Sequence, residues 1–581
     1  MRVLGIEGTA WCASAALYDA ETDSVLIESD PYEPDSGGIH PREAAEHMSE
    51  AIPEVVDAVL SVVEAEYGPD AIDAVAFSRG PGLGPCLRTV GTAARSLAGA
   101  LDVPLVGVNH MVAHLEIGRH RSGFQNPVCL NASGANAHLL GYHDGRYRVL
   151  GETMDAGVGN AIDKFTRHVG WDHPGGPKVE AAARRYAEEA ADSGALLGLP
   201  YVVKGMDFSF SGISSAANDA YDDGASVEEV CFSLQEHVFA MLTEVSERAL
   251  SLTGADELVL GGGVAQNDRL REMLETMCTD RGAAFYAPEP RFLGDNAGMI
   301  AVLGAKMARV GDTVPIPESA VEPDFRPDQV PVTWRDGHES VAAGGRTRRR
   351  GDERRGADGD ECADSRRGAE ATVEVVSDRR DETATDPRSV IKRRIPKAYR
   401  HPELDRSIRR DRTVAEARLT SEARRAGVPT PLVYDVDVAN ATLTLQHVGD
   451  RDLAAVLDGG EAWTAAVGRH LARLHGAGIV HGDPTTRNVR VVTRNVRIDG
   501  AEGVDPADAT DGTFLIDFGL GYHTGHVEDH AMDLHVFEGS VRATATDPDP
   551  LIEAFESGYA AVGAPDVLER LRDVEGRGRY R

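Results

Sequence analysis

Between Arg326 and Arg367 the chain loses its hydrophobic periodicity, and that interruption limits the possible folds more than any other feature. The tract contains RTRRRGDERRGADGDECADSRRG, dense in Gly, Arg and Asp. Such a composition buries too little apolar surface to offset the entropy of ordering, so it reads as a linker with a folded unit on each side. At 581 residues the chain is also too long for one core, and length alone suggests about three or four domains. The expected division is 1–325, a disordered acidic/basic linker over 326–367, and 368–581.

Before the linker, short apolar runs alternate with longer amphipathic stretches. VLGIEGT, SAALYD, AVAFSRG, LVGVNH, VCLNASG, HLLGYH and ELVLGGGV read as strands, while REAAEHMSEAIPEVVDAVLSVVEAEYG and VEEVCFSLQEHVFAMLTEVSERALSLTG have helical spacing. This predicts an α/β unit of two lobes, with glycine-ended strands presenting backbone N–H groups to phosphates. After the linker come the strands ATVEVVSD and SVIKRRI, a helix over DRTVAEARLTSEARRAG, the strand pair VYDVDVANATLTLQHV, a helix over AAVGRHLARLHGAG, and an HGD loop. That is the element order of a small α+β protein-kinase-like unit. No internal repeat is visible.

The six cysteines show no paired or CxxC spacing, which argues against a disulfide framework and a thiolate zinc site. No run of about 20 apolar residues and no signal-peptide pattern occurs, so a cytoplasmic protein without a membrane partner is expected. Lys plus Arg total 60 against 94 Asp plus Glu, a formal net charge of −34. Such a surface normally repels nucleic acid. In molar salt the Debye length falls to about 3 Å, and net charge stops acting at range. The composition resembles that of a haloarchaeal cytosolic protein, for which the charge reads as solvation chemistry and leaves an RNA partner open.

His110 and His114 in NHMVAHLE stand four residues apart in an apolar setting. On a helix both imidazoles project from one face and can share a metal ion, although the spacing also arises by coincidence. Met111 follows the first histidine, so the HExxH protease pattern lacks its general base. Further strings occur in order: GIEGTA (5–10), SRGPGLGPCLRTVG (78–91), ASGAN (132–136), DAGVGNAIDKFTR (155–167), HPGGPKVE (173–180), DFSFSG (207–212), GGGVAQN (261–267) and GDNAGMIA (294–301). Together they resemble the universal tRNA threonylcarbamoyladenosine synthase family, the catalytic subunit of the KEOPS complex and a relative of bacterial TsaD, across residues 1–325.

The resemblance implies an actin-like (ASKHA) fold. It also implies transfer of threonylcarbamoyl from threonylcarbamoyl-AMP to N6 of the adenosine 3′ of the anticodon, in tRNA decoding ANN codons, alongside other KEOPS subunits. Asp295 would complete a metal site with His110 and His114, holding one iron or zinc ion. Asn131, Ala132, Ser133, Gly134 and Ala135, with Gly176, would approach the adenylate. Asp163 and Glu180 would accept from ribose hydroxyls, and Asn267 would meet the base or phosphate. Where archaeal relatives carry a tyrosine taken as a further ligand, this chain has Asn131.

In the rear unit Lys392 fits a strand lysine for the ATP phosphates and Glu416 its helix-borne partner. Asp483 fits the catalytic base, and Asn488 and Asp517 fit the Mg ligands. IKRRIPKAYRHPELDRSIRRDRTVAEARL resembles the KEOPS small atypical serine/threonine kinase-ATPase, related to RIO-type kinases, over residues 368–581. GAEA (368–371) corresponds to a reduced phosphate loop, Pro484 and Arg487 depart from the usual catalytic loop, and an acidic insertion (498–512) precedes DFG. Arg577, Arg579 and Arg581 are candidate tRNA contacts. The sequence therefore reads as a bifunctional tRNA-modification enzyme whose kinase-ATPase supports or regulates it. The alternatives are a signalling kinase with a regulatory actin-like half, and a metallo-endopeptidase.

Overall fold

The protein is described here by a computed structural model covering residues 1–32, 40–134, 136–143, 145–189, 195–335, 364–377, 388–493 and 512–575. Ala135, the core of the expected linker (336–363), most of the acidic insertion and the basic tail lie outside these residues.

The front unit carries two five-stranded sheets. In the first, β1 (Arg2–Glu7), β2 (Cys12–Asp19) and β3 (Ser24–Pro31) form an antiparallel meander. The strands β4 (Ala74–Gly80) and β5 (Leu105–Asn109) add in parallel beside β1, after the helices α1 (Pro41–Tyr67) and α2 (Gly84–Leu101). The order is β3-β2-β1-β4-β5. Next come α3 (His110–Ser122), the antiparallel strands β6 (Val128–Ala132), β7 (Ala137–His143) and β8 (Arg146–Glu152), and the helices α4 (Val158–His168) and α5 (Gly176–Glu189). A short ribbon of β9 (Val203–Lys204) and β10 (Asp207–Phe208) precedes α6 (Ser211–Asp222) and α7 (Val227–Thr253). The parallel strands β11 (Glu257–Gly261) and β12 (Ala284–Tyr286) flank α8 (Asp268–Arg281), and α9 (Ala297–Arg309) ends the series.

The second sheet runs β12-β11-β6-β7-β8, the same meander-plus-two-parallel-strands plan as the first. This duplication, proper to the actin-like class that the sequence resembles, leaves no repeat in the sequence. Helices α3 and α9 lie between the sheets: Val112 and Leu115 of α3 and Ile300 and Leu303 of α9 share one core with Val3, Ala74, Cys129 and Val259. All of His110–Gly118 is buried, so its polar side chains, His110, His114 and Glu116, must be satisfied inside the protein. Gly118 makes this possible, because a Cβ there would lie 2.2 Å from Val259 Cγ1.

The expected linker boundary needs correction. Residues 326–335 pack on the front unit, with Val330 and Trp334 buried and the Trp334 ring stacked on Tyr147 at 6.4 Å. At the other end β13 (Asp364–Arg367) pairs with β14 (Ala371–Ser377). Two apolar anchors suffice to dock a segment that otherwise looks like linker.

In the rear unit β15 (Arg388–Arg394), β16 (Val433–Asp437) and β17 (Thr442–Gln446) complete an antiparallel sheet of order β13-β14-β15-β17-β16, and α10 (Pro402–Arg425) packs on β16 and β17. Below it lies a helical body of α11 (Glu461–Gly476), α12 (Val527–Thr544), α13 (Asp549–Ala560) and α14 (Pro565–Glu575). Its short strands are β18 (Arg451–Asp452), β19 (Ile479–Val480), β20 (Val489–Val491), β21 (Thr513–Leu515) and β22 (Tyr522–His523). Among the described residues no helix is long and apolar enough to cross a membrane.

Candidate active sites

The first site sits where α3 meets the turn before α9. Asn109 caps α3 by accepting from Val112 N at 3.0 Å, which fixes the helix start and puts His110 and His114 one turn apart with rings 4.8 Å apart. His110 Nε2 lies 3.3 Å, and His114 Nε2 3.5 Å, from Asp295 Oδ1. The spacing matches ligand atoms around one cation: bonds of about 2.1 Å in a tetrahedron put ligands about 3.4 Å apart. The three ligand atoms all lie within 4.8 Å of one another. Both ring nitrogens of His114 are buried without a hydrogen bond. A cation satisfies such an orphaned nitrogen, so the donor set fits a divalent ion of the zinc or iron type.

Glu7, fully buried, accepts from His110 Nδ1 at 3.1 Å and also from Ser78 Oγ. It orients the ring as carboxylates orient metal-binding histidines. Burial opposes charge on His110, but Glu7 and Asp295 outweigh it and push its pKa up to about 10. Burial likewise opposes charge on Asp295, and the His110 and His114 rings hold it well below the usual carboxylate range.

The remaining predicted contacts lie at the end of β6, on α4 and α5 and at the start of α8. Ser133 N and Oγ bond Asn136 O at 2.9 and 2.8 Å, and Asn160 N of α4 donates to Gly134 O at 2.9 Å. Ser133, Gly134 and Asn136 are thus tied together and Gly134 is held on the start of α4, following Ala132 at the end of β6. A Cβ on Gly134 or Gly176 would meet nothing within 4 Å, leaving open backbone. Asp163 holds the neighbouring loop, accepting from Gly175 N at 2.8 Å and lying 3.0 Å from His173 Nδ1. Glu180 accepts from Asp268 N at 3.1 Å. Asn267 Oδ1 caps α8, and its amide donates to Gln235 at 3.3 Å. Asp163, Glu180 and Asn267 therefore all have local architectural partners.

The second site brings its predicted residues together. Lys392 Nζ on β15 reaches both Glu416 oxygens, at 2.8 and 2.9 Å, and Asp517 Oδ1 at 2.7 Å. Asp517 adopts φ +67, a left-handed conformation that a short polar side chain tolerates. Asn488 Nδ2 donates to Asp483 Oδ2 at 2.9 Å. Asp533 fixes the loop below, accepting from His481 N and Gly482 N at 2.7 and 2.8 Å. Burial pushes the Asp483 carboxyl up to about 7, against the pull of Arg248.

Arg248 belongs to α7 of the front unit. Its guanidinium donates to Asp483 Oδ2 at 3.1 Å and to Gly205 O at 3.2 Å, and it pairs with Glu244 at 3.0 Å and with Glu370 in the GAEA turn. Gly205 N also donates to Gly482 O at 2.8 Å. The seam continues through Lys397–Glu247 at 2.6 Å, Arg400–Glu244 at 2.5 Å and Lys204–Asp529 at 2.7 Å. Glu7 and the α7 residues Glu244, Glu247 and Arg248 were not among the predicted site residues. Glu7 stands inside GIEGTA and was within reach of sequence reading. Arg248 meets Asp483 across 235 residues, and nothing local announces it.

A family model for TsaD, tRNA N6-adenosine threonylcarbamoyltransferase, matches residues 22–302. Proteins named "Probable bifunctional tRNA threonylcarbamoyladenosine biosynthesis protein" are similar over the full length. That of Halobacterium salinarum is 66% identical, covering 100% of this chain and 99% of its own. That of Haloquadratum walsbyi is 63% identical over 100% of both. That of Methanospirillum hungatei is 48% identical, over 100% and 99%.

Proposed function

We propose how this chain, which belongs to the family of bifunctional tRNA threonylcarbamoyladenosine biosynthesis proteins and serves t6A formation, divides its work: acyl transfer in the front unit, ATP turnover in the rear. The threonylcarbamoyltransferase activity is that of the family. The finer reading has threonylcarbamoyl-AMP as donor and, as acceptor, N6 of the adenosine 3′ of the anticodon in tRNA decoding ANN codons. KEOPS-type partner subunits would present the tRNA. The amine of N6 attacks the carbamoyl carbon and gives up a proton to solvent, the bond to the phosphate oxygen breaks, and AMP leaves.

The observation that supports this reading is the cluster of buried His110 and His114 with half-buried Asp295, whose ligand atoms all lie within 4.8 Å of one another. These three residues would hold an iron or zinc ion, which would supply Lewis-acid polarisation of a carbamoyl or phosphate oxygen. Glu7 keeps the His110 ring in position. Gly134, just after β6, would offer backbone to the adenylate.

In the rear unit Lys392 would hold the α- and β-phosphates with Glu416 steadying it, Asp517 and Asn488 would hold Mg, and Asp483 would act as the base; the Lys392–Glu416, Lys392–Asp517 and Asn488–Asp483 contacts support that reading. A signalling kinase needs Asp483 open to an external hydroxyl, whereas here Arg248 bonds it. ATP turnover serving the transfer fits that contact better, because the arginine that restrains the base comes from α7 of the front unit and so ties hydrolysis to the state of that unit.

The test combines the full chain, threonylcarbamoyl-AMP, unmodified tRNA and the partner subunits in high salt, with modified adenosine scored by mass spectrometry. Wild type is expected to modify tRNA. Asp483→Ala is expected to lose ATP turnover while a first round of transfer survives. No modification under any metal would overturn the reading.

Arg248→Ala is expected to raise ATP hydrolysis about 10- to 100-fold by freeing the base. The pH profile carries the sign. With Asp483 pushed up to about 7 by burial, hydrolysis rises with pH through that region as the carboxylate forms. Arg248 favours the charged carboxylate, so its loss moves the inflection to higher pH. Rate profiles of the two proteins check this, and an inflection that stays or falls contradicts it.

A further inference from the structure

Two buried polar side chains next to the His110, His114 and Asp295 cluster carry polar atoms with nothing to bond. Asn131, 3% exposed, leaves Oδ1 without a partner, and His138, 1% exposed, leaves both ring nitrogens without one. Buried imidazoles and amides are nearly always hydrogen-bonded, and those that are not often mark a missing water or ion. Asn131 and His138 are direct partners between β6 and β7, so their side chains share one face of the sheet with Cβ atoms about 4.5–5.5 Å apart. That face also carries Cys129 and Leu140, which pack with Met111, Val112 and Leu115 of α3. A Cβ built on Gly261 would lie 3.5 Å from Asn131 Oδ1 and 3.8 Å from His114 Cβ, so the amide and the predicted ligand are neighbours. His138 itself stands outside the three-residue cluster.

We propose that Asn131 and His138 together hold one water molecule beside the cation site, bonded to the Asn131 carbonyl oxygen and a ring nitrogen of His138. A buried water needs two to four polar partners; the two side chains give two, and a cation held by His110, His114 and Asp295 would give a third. His138 is thus a positioning residue that acts through the water. The inference rests on the cation reading of His110, His114 and Asp295.

The test uses the full chain loaded with Co(II), whose visible bands report its coordination, with affinity from chelator competition. Wild type is expected to bind one Co(II). His138→Leu and Asn131→Ala are each expected to bind one Co(II) about tenfold more weakly with shifted bands. His138→Gln, which can still hydrogen-bond, is expected to recover most of the affinity. Because both residues hold the same water, the double variant is expected to be no weaker than the worse single one.

Wild-type affinity and bands in His138→Leu would overturn the proposal. So would complete loss of Co(II) in a folded His138→Leu, which would make the ring a ligand in its own right. If wild type binds no Co(II), the cation reading itself fails. If thermal melting shows His138→Leu unfolded, Asn131→Ala, a smaller change, decides by the same readings.

Discussion

His110→Ala will lose its bound cation and cut t6A formation about a thousandfold or more. The cation would sit among His110 Nε2, His114 Nε2 and Asp295 Oδ1, and removing one of three ligands leaves a pair that cannot compete with water. Lewis-acid stabilisation of the transferred group is worth several kcal/mol. At 1.36 kcal/mol per factor of ten, about 4 kcal/mol corresponds to that thousandfold. The variant also strips fully buried Glu7 of a partner. Glu7→Gln serves as the control: it keeps the hydrogen bond and removes the charge, and is expected to cost far less activity. Modified adenosine by mass spectrometry and metal content by elemental analysis are read on the same samples. Full modification by a metal-free His110→Ala protein would sink the assignment. The metallo-endopeptidase alternative would instead show peptide cleavage by wild type, lost in His114→Ala.

Much of this fold is legible in the sequence because burial imposes period. Each of the seven front-half strand runs falls on a strand, and the two long helical runs become α1 and α7. The linker edges were misjudged because Val330 and Trp334 dock with little periodic sequence around them. The duplicated sheet plan is a matter of topology, carried by different residues in each copy. In the sites, helical spacing exposed His110 and His114, and motif order exposed Lys392, Glu416, Asp483, Asn488 and Asp517. Asp295 came only through the family resemblance. His138 reads locally as one more strand residue, and its unpartnered nitrogens exist only once β7 is paired with β6. The α7 seam was hidden for a related reason. Glu244 and Arg248, four apart, look like a surface helix pair, and only the rear unit turns them into buried charges.

That burial makes Glu244→Ala the most damaging single change expected at the seam. Its carboxylate, 2% exposed, takes Arg400 at 2.5 Å, Arg412 at 2.9 Å and Arg248 at 3.0 Å, and accepts from Tyr201 OH at 2.7 Å. Without it three guanidiniums share what Glu370, Asp483 and Asp405 still offer. Breaking a buried ion pair by removing one partner costs about 3–5 kcal/mol, a large part of the about 5–15 kcal/mol that stabilises a typical domain. The loss falls on the contact between the units, so denaturant is expected to unfold the variant in two steps where wild type unfolds in one. Salt is expected to rescue little, because buried pairs are screened far less than exposed ones. Burial opposes charge on Glu244, but its arginines hold its pKa below the ordinary value. The stability it contributes is therefore present above the usual carboxylate range and lost as pH falls. A single transition at the wild-type midpoint would show that the charges do not join the units. If the seam does open, Arg248 leaves Asp483 as well, so the same variant is expected to hydrolyse ATP faster while forming less t6A. That opposite movement of the two activities would separate coupling between the units from simple loss of fold, which lowers both.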